Sequence, residues 1–268
     1  SYTKPPSIGD FAEMQADSKS LMARDLMPLM TRFSPRDDRT RRTLVRLRAW
    51  DQNMARNQSE PLIFTAWLRT LNRLIYADEL GAALPAYWGL RPLFVRNVLT
   101  KSQKWCDNRA SEKVETCDDM LQAALDATLD ELEAAHGGDQ SSWRWGDDHY
   151  ANFSHSLFGR IAMVRHFSDI RIAANGGGYT VNRADHHVNN PAAPFASIHG
   201  AGYRAIYDLA DLDRSRFIQA TGQSGNFLSS HYRDITEKWR DGEHITIPAS
   251  RARALDGAIG ILTLKPES

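Results

Sequence analysis

The chain has 268 residues, 42% of them hydrophobic and 25% charged, with Lys+Arg and Asp+Glu equal at 33 each and a formal net charge of zero. That length buries one sizeable core or two smaller ones, and the charge balance leaves no whole-molecule field to hold nucleic acid or an anionic membrane. No stretch reaches the length of a transmembrane helix, and the opening residues, polar and proline-rich, do not read as a signal peptide, so a secreted protein would have lost its signal or begun upstream.

The first half reads as helices. Ile8, Phe11, Met14, Leu21, Met22, Leu26 and Leu29 recur at helical spacing and predict one helix that Pro28 ends or bends. Ser34-Pro35 offers an N-cap and a first-turn proline, with Asp37 and Asp38 near the positive end of the next helix, which carries Leu44, Val45, Leu47 and Trp50. Ser59-Glu60-Pro61 repeats that start signal ahead of Leu62 to Ile75, and Gly81 is a natural C-cap. Helices are expected over 91–100 and over 117–136, the second stopped by Gly137-Gly138. Beyond about residue 140, glycine, asparagine and histidine become frequent and the helical period fades. Ile170–Ala174 and Tyr179–Asn182 flank Asn175-Gly176-Gly177-Gly178 as a hairpin would. Tyr203–Leu209 and Ser215–Gln219 read as strands around Asp211-Leu212-Asp213, His231–Arg240 as a helix, and Ala258–Leu264 as a final strand. The expected class is α+β, mainly helical over 1–140 and mixed over 141–268, with no repeat, low-complexity tract or clear linker to divide it.

Several groups of residues invite a functional reading. The only cysteines, Cys106 and Cys117, have polar flanks, so either they close a loop as a disulfide or they are two unrelated thiols. Arg36, Arg39, Arg41, Arg42, Arg46 and Arg48 make one helix basic, but Asp37, Asp38 and Asp51 dilute it. A solvated face, or one covered by further chain, outweighs an acidic partner there. Asp147, Asp148, His149, His155, His166, Asp169, His186, His187 and His199 are dense enough to suggest zinc. No HExxH or paired histidine spacing supports it, and Trp143 and Trp145 point to a packed loop region instead. Gly222-Gln223-Ser224-Gly225-Asn226 approaches a nucleophile elbow, with His199 or His231 as conceivable bases, but the second glycine is out of register and a tight turn is the better reading. Gly176–Gly178 lacks the lysine of a phosphate loop.

Three stretches carry a resemblance. Trp145-Gly146-Asp147-Asp148-His149 precedes Asn152-Phe153-Ser154-His155-Ser156-Leu157-Phe158. Gly177-Gly178-Tyr179-Thr180-Val181-Asn182-Arg183-Ala184 follows. The most specific run is His199-Gly200-Ala201-Gly202-Tyr203-Arg204, then Asp208-Leu209-Ala210-Asp211, then Thr221-Gly222-Gln223-Ser224-Gly225-Asn226, then Ser230-His231-Tyr232. In this order they resemble the end of the β chain of the penicillin-acylase family of N-terminal-nucleophile hydrolases. Phe11 to Pro28, with Gln15, Asp17, Ser18 and Ala23, resembles a helix midway along that chain. Trp105-Cys106 and Thr116-Cys117-Asp118-Asp119 resemble periplasmic members, which favours a Cys106–Cys117 disulfide and a periplasmic or secreted location.

The resemblance implies a four-layer αββα enzyme made as a self-cutting precursor. Its nucleophile is a serine exposed at the start of the β chain, and its substrates are acyl amides such as β-lactams, acyl-homoserine lactones and acyl peptides. That serine opens a Ser-Asn-x-Trp-like segment, whereas Ser1 here precedes Tyr2-Thr3-Lys4-Pro5-Pro6. The oxyanion asparagine and the calcium ligands known in the family lie upstream of the Phe11 helix. Residues 1–268 are therefore expected to be the C-terminal segment of such a β chain, inactive alone. No catalytic, cofactor-binding or metal residue is assigned in it, and calcium is possible only in the full enzyme. Its expected partners are the upstream β-chain segment, the α chain and a small acyl amide. Two alternatives stand beside it: a non-catalytic binding or interaction module, and a serine hydrolase built on Ser224.

Overall fold

The computed structural model describes residues 5–266. In chain order its helices are α1 (Ile8–Ala16), α2 (Leu21–Met30), α3 (Asp38–Ala49), α4 (Glu60–Leu80), α5 (Leu84–Tyr87), α6 (Pro92–Thr100), α7 (Cys117–His136), α8 (Trp145–Asp148), α9 (Ala162–Ser168), α10 (Thr236–Arg240) and α11 (Arg251–Leu255). The strands are β1 (Tyr150–Phe153), β2 (Ile170–Ala173), β3 (Ala184–His186), β4 (Ser197–Gly200), β5 (Tyr203–Ile206), β6 (Arg216–Gln219) and β7 (Ile245–Thr246). The class is α+β. The residues fall into two compact units: one spans 17–200, and the other joins the residues up to 16 with those from 201 onward.

In the 17–200 unit, α4 is the hub. Every residue from Pro61 to Leu68 is buried, which is how a helix apolar on all sides must sit. It packs along α7, where Trp67 donates its indole N–H to the Leu121 carbonyl at 3.1 Å and the Thr70 and Thr128 hydroxyls meet at 3.1 Å. Gly81 closes α4 at φ 48°, a conformation that costs glycine little. Helix α7 opens with a capping box, in which Thr116 Oγ1 accepts the Asp119 N–H and Asp119 accepts the Thr116 N–H. Cys106 and Cys117 are both buried and joined as a disulfide, with Cα atoms 4.9 Å apart, pinning the loop ahead of α7 to its first residue.

Four expectations change here. The single helix over 8–29 is two helices. Asp17–Ser20 leaves the helical path because Ser20 donates its N–H to the Gln52 carbonyl and Met54 donates to Ser18, while Ser20 Oγ caps α2 by accepting the Ala23 N–H. Pro28 sits inside α2, which stops two residues later at Met30. Helix α3 is capped by Asp37, whose carboxylate accepts the Thr40 N–H at 2.9 Å, so Ser34 and Pro35 stay outside it. The basic face changes only in part: Arg41, Arg42 and Arg48 stay exposed as a solvated face would, while Arg36 pairs with Asp119, Arg39 with Asp130 and Glu133 of α7, and Arg46 reaches Ser59 and Gln140.

The unit's sheet runs β2-β1-β4-β3, with β1–β2 and β3–β4 antiparallel and β1–β4 parallel. The hairpin across Asn175–Gly178 does not form. Strand β2 pairs with β1 instead, and 179–182 are irregular because their polar groups are committed elsewhere: Asn182 donates its N–H to the Asp17 carbonyl at 2.7 Å and Thr180 donates its hydroxyl to the Asn182 carbonyl at 2.7 Å.

The second unit is built on an antiparallel β5-β6-β7 sheet, with α1 against β5 and α10 against β6. Arg204 is buried, donates to the Trp239 carbonyl at 2.8 Å and lies over the Trp239 ring at 5.3 Å. The expected helix over 231–240 forms only from Thr236 to Arg240, and 258–264 has no regular structure. The edge of β6 is taken by β7, and Ile259, Leu262 and Leu264 stay exposed. Among the described residues no helix is long and apolar enough to cross a membrane.

Candidate functional site

The serine turn is built by backbone. Gly222 and Ser224 donate their N–H groups to the Tyr232 and His231 carbonyls at 2.9 and 3.0 Å. A Cβ on Gly222 would stand 2.0 Å from the His231 carbonyl oxygen, so the loop closes this tightly only with glycine there. Ser224 Oγ accepts the Asn226 N–H at 3.1 Å, while the His231 ring turns to Asp234 at 2.9 Å. Among the described residues no histidine ring is hydrogen-bonded to Ser224. His199 is exposed on β4 in the other unit, and Gln223 is exposed on the turn. Ser1 lies outside the described residues.

The histidine-rich stretch divides into separate structural roles. His136 meets Asp148 at 2.8 Å, and the His155 ring accepts the Leu157 and Phe158 N–H groups at 3.2 Å. Asp169 accepts the His155 N–H at 3.0 Å. Among the described residues no three histidine, cysteine, aspartate or glutamate side chains gather to hold a metal ion. These side chains therefore do not fit calcium or zinc.

What does assemble is an aromatic nest around two buried histidines. Helix α8 is docked by the Trp145 and Gly146 N–H groups, which donate to the Gln58 and Arg56 carbonyls at 2.8 Å. Trp145 donates its indole N–H to the Gly176 carbonyl at 3.1 Å. Gly176 takes φ 88°, and a Cβ there would stand 2.1 Å from the Asn182 carbonyl oxygen. One turn on, His149 stacks on Trp145 with centroids 4.3 Å apart and planes 10° apart. Its Nδ1–H donates to the Phe195 carbonyl at 2.7 Å, which leaves Nε2 as an acceptor without a partner. Strand β3 brings His186 edge-on to His149 at 5.7 Å, and neither of its ring nitrogens has a partner. Burial pushes His149 down to about 3, helped by His186, and pushes His186 down to about 4. Both rings are therefore neutral at physiological pH.

His186 is also part of the wall of a cleft of about 340 Å³, together with Asp185, Tyr179 and Trp88. Burial alone would raise Asp185, but Arg183 and the His186 N–H outweigh it and hold the carboxylate charged. Burial raises the Tyr179 hydroxyl, so it stays protonated. Trp88 carries a further buried group without a hydrogen-bond partner, its indole N–H, and the Arg69 guanidinium lies over its ring, 5.3 Å from the centroid. The walls hold donors and acceptors but no serine, threonine, cysteine or lysine. Leu90 and Tyr179 also line a larger cleft of about 530 Å³ between α2 and α6, walled by Leu21, Met22, Leu26 and Leu93.

Of the residues singled out in the sequence, the structure brings together His149, His186 and Trp145. It leaves His155, His166, His187 and His199 outside that nest. Trp88 carries no signal in the sequence. The four-residue spacing of Trp145 and His149 is a signal that could have been read.

Comparison with known proteins gives one consistent picture. The family model described as penicillin amidase matches residues 3–255. The chain is similar to the acyl-homoserine lactone acylase QuiP of Pseudomonas putida, 24% identical over 231 residues that cover 79% of this chain and 26% of the relative. It is similar to the penicillin acylase 2 proenzyme of a Pseudomonas species, 26% identical over 255 residues that cover 88% of this chain and 30% of the relative. In fold it is similar to a thermostable penicillin G acylase from Alcaligenes faecalis, with a TM-score of 0.56 at 16% identity over 98% of this chain and 50% of that one. The chain thus spans less than a third of the length of these two curated relatives.

Proposed function

Because this chain belongs to the penicillin amidase family, we propose that it forms the carboxyl-terminal part of an acylase β chain whose N-terminal serine nucleophile lies upstream. The supporting observation is the family match over residues 3–255, taken with a Ser224 hydroxyl that accepts the Asn226 N–H while the His231 ring turns to Asp234. In this reading the serine's own α-amine, with an ordinary pKa of about 7.7–8.0, takes the hydroxyl proton. The oxygen attacks the acyl carbonyl, oxyanion donors stabilise the tetrahedral state, and the amine leaves with the proton. Water then splits the acyl ester, releases the acid and restores the serine. This chain supplies scaffold and binding surface, with the upstream segment and the α chain as partners. A periplasmic or secreted location is part of this reading, supported by the Cys106–Cys117 disulfide, a bond that oxidising compartments favour.

The test is covalent. A serine-reactive fluorophosphonate, applied to the processed protein and mapped by peptide mass spectrometry, labels a serine outside residues 1–268. Stoichiometric labelling of Ser224, or of another serine within these residues, overturns the proposal. The polar cleft, with its unpartnered groups and no serine, threonine, cysteine or lysine in its walls, favours a second reading as a binding module without chemistry. Saturable ligand binding with no turnover by the whole protein would select it.

A further inference from the structure

The unit that joins the residues up to 16 with those from 201 onward holds a cleft of about 360 Å³ that the acylase reading does not use. Three arginines enter it from separate elements. Arg214 ends the turn at Leu212–Arg214, Arg216 opens β6, and Arg253 stands on α11. Strand β6 is central in its sheet, and Arg216 is held there in register with Ile206 on one side and Thr246 on the other. A side chain that starts from a central strand starts from a fixed place. The nearby carboxylates do not satisfy these guanidinium groups. Asp213 uses both oxygens elsewhere: Oδ1 accepts the Ala249 and Ser250 N–H groups at 2.8 and 2.6 Å, and Oδ2 accepts the Ser250 hydroxyl at 2.7 Å. Those bonds, from Ser250 above all, hold its carboxyl below the usual range, and the Arg253 charge adds to them. Arg214 lies 3.5 Å from Asp208, which is not part of the cleft wall. Arg216 is half-buried, yet among the described residues it forms no ion pair. Charges withdrawn from water are ordinarily paired. The field of Arg216 extends to His244, whose pKa is lowered by burial first and then by Arg204 and Arg216. Asp256, exposed just after α11, is the remaining negative charge in the walls.

We infer that this cleft binds a tetrahedral oxyanion, inorganic phosphate or the phosphate of a small monoester, between Arg216 and Arg253. A guanidinium presents N–H donors in a planar fork that matches phosphate oxygens two at a time. Three such groups, with the Thr246 hydroxyl in the same wall, offer more donors than one carboxylate can accept, which favours phosphate as the ligand. The volume lies at the lower end of small-molecule sites and leaves room for a small organic group beside Ile8 and Pro248. Asp256 opposes an anion and limits its affinity.

Isothermal titration of the whole protein with inorganic phosphate tests it, at fixed ionic strength with chloride as the balancing anion. One saturable site is expected, with a Kd on the order of 1 mM or below. Arg216→Gln and Arg253→Gln each remove charge-assisted donors and should each weaken binding by about ten-fold. Asp256→Asn removes a like charge and should tighten it by about three-fold. Arg253 is exposed on a helix of five residues, so its variant should melt as the parent does even if Arg216→Gln disturbs β6. Glycerol 3-phosphate separates the two sources: tighter binding than inorganic phosphate assigns the site to a monoester, and equal or weaker binding assigns it to the free ion. No saturation by millimolar phosphate, or binding that Arg253→Gln and Asp256→Asn both leave unchanged, overturns the inference. None of these readings depends on acyl-amide turnover, so failure of the acylase reading would leave the oxyanion site standing, and the reverse.

Discussion

Lowering the pH from 7.5 to 5 should destabilise the 17–200 unit through His149 and His186. Both folded values, about 3 and about 4, lie below the ordinary histidine value of 6.5. The unfolded chain therefore binds protons in this window that the folded chain refuses, so stability falls as pH falls. Each ring loses about 2 kcal/mol by pH 5, so the pair loses about 4 kcal/mol, a large share of the 5–15 kcal/mol typical of a domain. The magnitude depends only on both folded values lying below 5. Carboxylates held low by their hydrogen bonds, such as Asp37 through the Thr40 N–H and Asp139 through Ser141, lose their contribution at more acid pH, outside this window. His244 is also lowered, by burial, but belongs to the other unit. Urea unfolding followed by tryptophan fluorescence at pH 7.5, 6.5, 5.5 and 5 measures the slope, and His186→Gln should remove about half of it. A flat profile, or a slope that His186→Gln leaves intact, refutes the reasoning.

Other consequences are more local. Reducing the Cys106–Cys117 disulfide frees a short loop and should cost about 3 kcal/mol by chain entropy, read as a lower urea midpoint in dithiothreitol. Gly222→Ala forces a Cβ against the His231 carbonyl oxygen and should destabilise the serine turn by about 3 kcal/mol. Limited proteolysis would show it as faster cleavage between Gly222 and Asp234. Ser224→Ala should leave amide hydrolysis by the whole protein unchanged, because the hydroxyl only accepts the Asn226 N–H. A hundred-fold loss of kcat would put Ser224 in the chemistry.

The parts of the fold legible in the sequence are those decided locally. Helices α4 and α7 carry their own boundaries, Glu60-Pro61 with Gly81 in one case and Thr116 to Asp119 with Gly137 in the other. Helix α6 is announced by Pro92. What was not legible is set by distant partners. The break between α1 and α2 exists because Ser18 and Ser20 hydrogen-bond to Met54 and Gln52. The glycine run at 176–178 looks like a hairpin turn, but β2 finds its partner in β1, twenty residues earlier by register. Strands of three or four residues such as β1, β3 and β4 are too short to show a period. The same holds for the site: Trp145 and His149 are neighbours on one turn, whereas His186 reaches them only through the sheet, and Trp88 enters only through the path of the chain after α5.

Amine release from phenylacetyl, glutaryl and long-chain acyl amides, measured for the 268-residue chain and for the full precursor side by side, tests the central claim most directly. The account predicts that the precursor hydrolyses at least one of them and that the chain by itself hydrolyses none. Turnover by the chain alone would contradict it, because a working nucleophile would then lie within these residues.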